Sequence, residues 1–394
     1  MLKGKTVVLG VTGSIAAYKI ANLARMLVKQ HCEVHVLMTQ NATNFINPIT
    51  FETLTKHKCL IDTFDRNFEF SVEHVALAKA ADVVMIAPAS ANVIGKIANG
   101  IADDMLTTTV MACPCKKIVS PAMNHNMFHN PIVQDNIEKL KHYDYEIVEP
   151  AHGMLANGDM GDGRMPDEEL LFEYIVKEIA FEKDMTGKKV LVTAGATVEA
   201  IAPVRFITNH SSGKMGFALA KNAMLRGADV TLVMGKCDSE PPVFVNTVKV
   251  QSAKDMYDAV IERADSMDII VKAAAVADYR PKNVSSEKVK KQDGNMSIEL
   301  ERTDDILKTL GERKNGQFIC GFSMETENML ENSRKKLEKK NCDMIVANNL
   351  KQDGAGFGGN TNIVTLITKD DEVQLEKMTK DEVAEKIFDF ILSR

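Results

Sequence analysis

The chain has 394 residues, enough for two domains at roughly 100–200 residues each. Its 45% hydrophobic and 26% charged content is that of an ordinary globular protein, and each half is long enough for its own core. A net charge of −6 leaves no basic footprint for nucleic acid, and no run approaches the ~18 apolar residues of a membrane helix.

The chain starts the same way twice. GKTVVLGVTGS (4–14) and GKKVLVTAGAT (187–197) each read as Gly-Lys, a buried strand and a glycine turn leading into a helical segment. A strand that ends in such a turn at a helix N-terminus is a phosphate-binding device. VVLGV (7–11) ends in that turn with no cleavage-type site, so it reads as a strand and not a signal peptide. In the first half, strands are predicted at 6–11, 33–39, 82–88 and 116–122, with a helix over 15–30. The glycine-rich stretch 153–169 reads as a mobile flap without strand or helix. In the second half, strands are predicted at 189–194, 229–235, 268–276, 318–324, 343–349 and 362–368, with helices over 254–265 and 328–341. These strands lack clean alternation, so they are expected to be buried on both faces of parallel sheets. The fold expected is α/β: two doubly wound domains, 1–186 flavodoxin-like or Rossmann-like and 187–394 Rossmann-like.

The seven cysteines show neither CxxC nor zinc spacing, and their odd number fits a reducing cytoplasm.

Candidate ligand residues fall at the expected strand ends. Gly13 and Ser14 stand in the first turn, where backbone N–H groups can hold a phosphate. Thr39 ends the second strand where NAD proteins carry an acid for the ribose diol, so FMN fits better than NAD. Ser90 and Asn92 follow the third strand in PASAN (88–92), and Asn124 follows the fourth in PAMNHNMF (121–128). Asn124 can donate to a carboxylate or a flavin carbonyl. Each is also readable as an ordinary loop residue, and His74 as a surface or packed histidine. In the second half, Ser211, Ser212 and Gly213 in SSGKMG offer backbone amides to phosphates, although Met215 stands where a P-loop needs Ser or Thr. Asp278, in KAAAVADYRP (272–281), is placed to hold Mg²⁺ with nucleotide phosphates. Lys288, Lys290 and Lys291 follow it, and Lys336 and Lys340 share a helix face.

GSIAAYK (13–19), the His74 segment, PASAN, ANGIADDMLTT (98–108), PAMNHNM and GDGRM (161–165) together resemble the homo-oligomeric flavin-containing cysteine decarboxylases, the phosphopantothenoylcysteine decarboxylases above all. The resemblance spans about 4–175. It implies oxidation of the cysteinyl carbon by flavin, loss of CO₂ from the resulting thioaldehyde, and reduction of the enethiolate. His74 then matches the catalytic histidine and Asn124 the asparagine that binds the substrate carboxylate. One departure is serious. Asn157 stands where the family has the Cys that donates the last proton, and Phe128 replaces the usual Trp. An amide is no acid near neutral pH, whereas a thiol of pKa ~8.5 is. Either position 157 is engineered, or another donor such as water serves, or this half stops at the oxidised intermediate.

ITNHSSGKMG (207–216), AAAVADYRP (273–281), KVKK (288–291), GFSMET (321–326) and VANN (346–349) resemble the phosphopantothenate–cysteine ligases over about 187–392. The domain order is similar to that of the fused bacterial enzymes. The resemblance implies CTP as co-substrate, Mg²⁺ at Asp278, an acyl-cytidylate intermediate, and 4'-phosphopantothenate and L-cysteine as the other substrates. It assigns Asn209 to the onward reaction of that intermediate. CTP contacts fall on Ser212, Gly213, Ala275, Asp278, Lys288, Phe322, Lys336 and Lys340. It further implies a cytoplasmic homo-oligomer, a dodecamer built from trimers and dimers, with no membrane or nucleic-acid partner. A ligase whose flavin half is decarboxylation-impaired, or serves assembly or regulation, is the alternative.

Overall fold

The computed structural model describes residues 2–63, 73–154, 158–289, 296–325, 328–349 and 359–394. The chain divides into two compact units, Met1–Phe181 and Glu182–Arg394.

In the first unit the chain runs β1 (Thr6–Val11), α1 (Ile20–Lys29), β2 (Glu33–Met38), α2 (Pro48–Thr55), α3 (Glu73–Ala80), β3 (Val83–Ala89), α4 (Ala91–Ala98), α5 (Met105–Ala112), β4 (Lys116–Pro121), α6 (His125–Phe128), α7 (Pro131–His142) and β5 (Glu146–Ile147). The hairpin β6 (Ala151–Met154) and β7 (Met160–Arg164) and the helix α8 (Glu168–Ile179) follow. The sheet order is β2-β1-β3-β4-β5, with every pairing parallel. All seven residues of β3 are buried, as a central strand covered on both faces requires. On α1, Ile20, Leu23, Ala24 and Leu27 are buried, the i, i+3, i+4, i+7 stripe of a helix lying on a sheet. The predicted helix 15–30 is split: Ile15–Lys19 is a tighter 3₁₀ turn capped by Ser14.

In the second unit the order is β8 (Lys189–Ala194), β9 (Val198–Ala202), β10 (Arg205–Thr208), α9 (Lys214–Leu225), β11 (Asp229–Met234), β12 (Asn246–Lys249), α10 (Ala253–Ala264), β13 (Ile269–Lys272), β14 (Tyr279–Pro281), β15 (Leu300–Arg302) and α11 (Ile306–Arg313). Then come β16 (Phe318–Glu325), α12 (Met329–Lys339), β17 (Met344–Asn349), β18 (Thr361–Asn362), β19 (Val364–Ile367), β20 (Glu372–Gln374), β21 (Met378–Thr379) and α13 (Lys380–Leu392). The main sheet runs β12-β11-β8-β13-β16-β17-β19-β20, parallel as far as β17 and antiparallel beyond it. Both units are doubly wound α/β sheets. Strand order reverses between β1 and β3 in one and between β8 and β13 in the other. Asp184 and Met185 both bond Arg226, so the stretch before β8 packs with the second unit.

Two expectations are corrected. Residues 153–169 are not a strandless flap: β6 and β7 pair antiparallel, with Gly153 opposite Gly161. A Cβ at Gly163 would lie 2.3 Å from the Met123 carbonyl oxygen, so the glycines let this hairpin lie against the loop after β4. The strand predicted at 268–276 ends at Lys272. There Ala274 N–H turns to the Thr193 hydroxyl (3.1 Å) and Ala277 N–H to the Thr197 hydroxyl (3.0 Å), which takes the small residues out of the ladder.

The repeated start has a repeated fastening. Asp82, just before β3, accepts Thr6 N–H at 2.7 Å, and Asp268, just before β13, accepts Lys189 N–H at 2.7 Å. Asp82→Ala removes that charge-assisted bond and the Lys5 ion pair. It is expected to destabilise the first unit by about 1–2 kcal/mol, read as an earlier unfolding transition in denaturant.

Candidate functional sites

In the first unit the loops after β1, β2, β3 and β4 enclose a cavity of about 510 Å³ at the strand carboxyl ends. It brings together all five residues singled out for the flavin, Gly13, Ser14, Thr39, Ser90 and Asn92. Three of them cap helices. Ser14 Oγ accepts from Ala16 N–H, Thr39 Oγ1 from Ala42 N–H and Ser90 Oγ from Val93 N–H, so three helix N-termini converge on one space. Thr12 braces the crevice. Its buried hydroxyl donates to Pro88 O (2.6 Å) and accepts from Ser90 N–H (2.9 Å), tying the β1 turn to the β3 turn. A Cβ at Gly13 would lie 2.8 Å from the Asn41 Cβ, so only glycine lets these loops close together.

Asn124 lines an adjoining cavity of about 370 Å³ with Ser14, Lys19, Met154 and Arg164. As cap of α6 its Oδ1 accepts Asn126 N–H at 2.9 Å, which turns the Nδ2 donor outward. Lys19, at the end of the 3₁₀ turn after Ser14, bonds Asp167 at 3.0 Å, which anchors that turn to the stretch after β7. Sequence reasoning did not single out Lys19, which ends the 3₁₀ turn after Ser14, or Arg164, which the hairpin pairing brings to the same cavity. His74 stands half-buried at the amino end of α3 and lines neither cavity. Asn157 lies outside the described residues.

The second unit carries two cavities at the carboxyl ends of β8, β13 and β16. One, about 270 Å³, is lined by Ser212, Gly213, Ala275, Asp278, Phe322 and Lys336. The other, about 480 Å³, shares Asp278 and Lys336 and adds Lys340 and Arg302. Seven of the eight residues singled out for the nucleotide thus fall on these walls. Lys288 is exposed and lines neither, and Lys290 and Lys291 lie outside the described residues. Asn209 joins the two motifs: its Nδ2 donates to Val276 O at 3.1 Å. Gly213 begins α9 in the left-handed region (φ +79°) and supplies no side-chain cap, which leaves the first turn of a 12-residue helix suited to an anion. A Cβ there would lie 2.4 Å from Cys237 Sγ.

Lys272 was missed, because it read as the middle of a strand. It is the last residue of β13 and lines both cavities. Burial, reinforced by the Lys336 ammonium, pushes its pKa down to about 8, against the opposing pull of Asp305 and Asp278. The folded pKa lies below the unfolded value of ~10.4. Holding Lys272 charged therefore opposes folding below about pH 8, and that opposition fades between about 8 and ~10.4. A polyanion seated here stabilises the ammonium.

Residues 1–180 match the family model described as Flavoprotein, and residues 185–394 match that described as DNA/pantothenate metabolism flavoprotein C-terminal domain. The coenzyme A biosynthesis bifunctional protein CoaBC of Bacillus subtilis (strain 168) is 47% identical over 373 residues, covering 94% of this chain and 92% of the relative. That of Borreliella burgdorferi is 40% identical over 390 residues, covering 98% of this chain and 99% of the relative. The chain belongs to the bifunctional coenzyme A biosynthesis proteins. Among solved structures, the C-terminal domain of a protein of that name matches with 48% identity and a TM-score of 0.46, over 52% of this chain and 95% of that one. The first half is a flavoprotein domain.

Gly13→Ala is expected to weaken flavin retention by about tenfold or more while helix content is kept, measured as flavin absorbance per chain after gel filtration. Lys272 gives a pH test. Affinity for a polyanion, with inorganic tripolyphosphate as the probe, should fall as pH rises through about 8, and binding at pH 8.5 should take up a proton. Lys272→Arg should abolish both effects, read by calorimetry in buffers of differing ionisation enthalpy.

Proposed function

We propose that the second unit joins 4'-phosphopantothenate to L-cysteine at the expense of CTP, and that the first unit, with FMN, decarboxylates the product to 4'-phosphopantetheine. The observation that carries this reading is the gathering of the two predicted residue sets at two separate switch-point crevices. We assign residues 1–186 to the decarboxylase and 187–394 to the ligase, with Gly13, Ser14, Thr39, Ser90 and Asn92 as the residues that would hold FMN.

Bound FMN supplies two-electron oxidation and reduction of the substrate. The chain's own part in this half is orientation. The outward Nδ2 of Asn124 is a donor for the substrate carboxylate, and Lys19 and Arg164 on the same wall attract its anionic end. His74 is assigned its catalytic role by resemblance alone, and position 157 holds an amide where the family has a thiol.

In the second half the uncapped α9 terminus, Ser212 and the lysines 272, 336 and 340 are the donors for the triphosphate. Asp278, exposed between the two cavities, is the carboxylate for Mg²⁺. Mg²⁺ held there would supply neutralisation of the phosphate charge. Asn209, fixed on the 275–276 carbonyls, is placed to orient the acyl-cytidylate for attack by the cysteine amine.

Among the described residues no helix is long and apolar enough to cross a membrane. All seven cysteines are free, which supports a reducing, cytoplasmic compartment. Val204, Phe206, Tyr279 and Leu300, exposed on two small hairpins of the second unit, support a homo-oligomer.

Incubating the full chain with 4'-phosphopantothenate, L-cysteine, CTP and Mg²⁺ tests the assignment. The expected outcome is one pyrophosphate and one CO₂ per turnover. Pyrophosphate with accumulating phosphopantothenoylcysteine and no CO₂ overturns the decarboxylase half. Absence of CTP-dependent pyrophosphate overturns the ligase half.

A further inference from the structure

His125 begins α6 and His129 caps its carboxyl end one turn later, and Asp162 reaches them from β7. One ligand atom from each lies within 4.8 Å of the other two. His129 Nε2 and Asp162 Oδ2 are 2.9 Å apart. The second Asp162 oxygen is 3.0 Å from His152 Nδ1, an outer partner that orients the carboxylate. The hairpin lies directly against the first imidazole, since a Cβ at Gly161 would sit 2.7 Å from His125 Nδ1. His129 and Asp162 are open to solvent, with 49% and 37% of their side chains exposed, so an ion has a path in.

We propose that His125, His129 and Asp162 bind one divalent transition-metal ion of the zinc–nickel class, which fastens the β6–β7 hairpin to α6. Two imidazoles and a carboxylate are a donor set for such ions, whereas magnesium and calcium take oxygen. Ligand atoms about 2.0–2.1 Å from a tetrahedral ion stand about 3.3 Å from one another, so side-chain rotation of about 1.5 Å closes the site. In the metal-free protein Asp162 N–H donates to His125 Nδ1 at 3.2 Å, and binding exchanges that bond for the ion. Asn124 precedes His125, and Arg164 follows Asp162 by two residues, so the ion stiffens two walls of the Asn124 cavity. Nothing in this site depends on the assigned reaction.

The test uses the full chain without a histidine tag, stripped with chelator and titrated with Ni²⁺. One equivalent per chain is expected, with binding weakened about tenfold or more in His129→Ala and in Asp162→Asn, and less in His152→Gln. Co²⁺ should give a spectrum without thiolate charge transfer, unchanged in Cys115→Ser. Metal should slow tryptic cleavage after Arg164 in the parent chain and not in Asp162→Asn. Both histidine and aspartate variants change solvent-facing side chains, and equal flavin retention checks their fold. Unchanged affinity in His129→Ala and Asp162→Asn, or a thiolate band that vanishes in Cys115→Ser, overturns the proposal.

Discussion

A carboxylate locks the register between the two strands that flank each crevice. Asp82 and Asp268 each accept the first N–H of the opening strand of their unit, and each returns its own N–H to the carbonyl of the same residue, both at 2.9 Å. This double bond pattern fixes the amino ends of β1 against β3 and of β8 against β13. The carboxyl ends are then free to part, because the chain leaves them in opposite directions at the reversal of strand order. Hydroxyls from the opening strands hold the parted loops at a set distance. Thr12 does so through Pro88 and Ser90, and Thr193 and Thr197 do so through Ala274 and Ala277. Gly13, Ser14, Ser90 and Asn92 stand on or beside the loops that Thr12 braces, and Ala275 and Asp278 on or beside the loop that Thr193 and Thr197 brace, whereas Phe322 and Lys336 are carried by β16 and α12.

The same frame is tuned for different charge. In the first unit the helix N-termini around the cavity are capped by Ser14, Thr39 and Ser90, so their partial positive charge is partly used by the protein itself. Lys96 also lines that cavity, but it is bonded to Asp103 at 2.7 Å. Such a surface suits a single phosphate on an otherwise neutral ligand. In the second unit Gly213 offers α9 no side-chain cap, and Lys272 and Lys336 share a wall with Lys340, whose ammonium is paired with Asp305. Like charges held this close oppose one another, which is part of why the Lys272 pKa falls. A ligand with several negative charges relieves that repulsion, and a flavin phosphate would do so less well.

The inner strands of both main sheets were legible because each is a short apolar run, whereas the short, more polar edge strands β5, β12 and β20 were not predicted. Six residues of β1 and six of β8 were placed without error. What was not legible came from pairing. β6 and β7 looked like loop because glycine is a poor strand former in isolation. Their strand character comes from one another and from packing on Met123 and His125. Lys272 looked like strand interior because AAAV continues an apolar run; the hydroxyls that pull the chain out of the ladder sit 81 and 80 residues earlier. The five residues singled out for the flavin share one cavity because each was chosen at a strand end, and strand ends of an open sheet border its crevice. Lys19 and Arg164 were not, since the spacing of a salt-bridged wall across 148 residues has no local signature. His74 and Lys288 were assigned by likeness of motif, and spatial convergence within one unit does not add to either.

The hairpin bears on what the exchange at position 157 means. Its two strands are held at their bases, by Gly153 opposite Gly161, by Met123 N–H on Gly163 O at 3.0 Å and by Arg164 near Asp167. None of these contacts uses residue 157. Glycine at 161 and 163 is what lets the strand lie on the α6 loop, and both glycines are present. The wall of the Asn124 cavity is thus supported whether an amide or a thiol stands at 157.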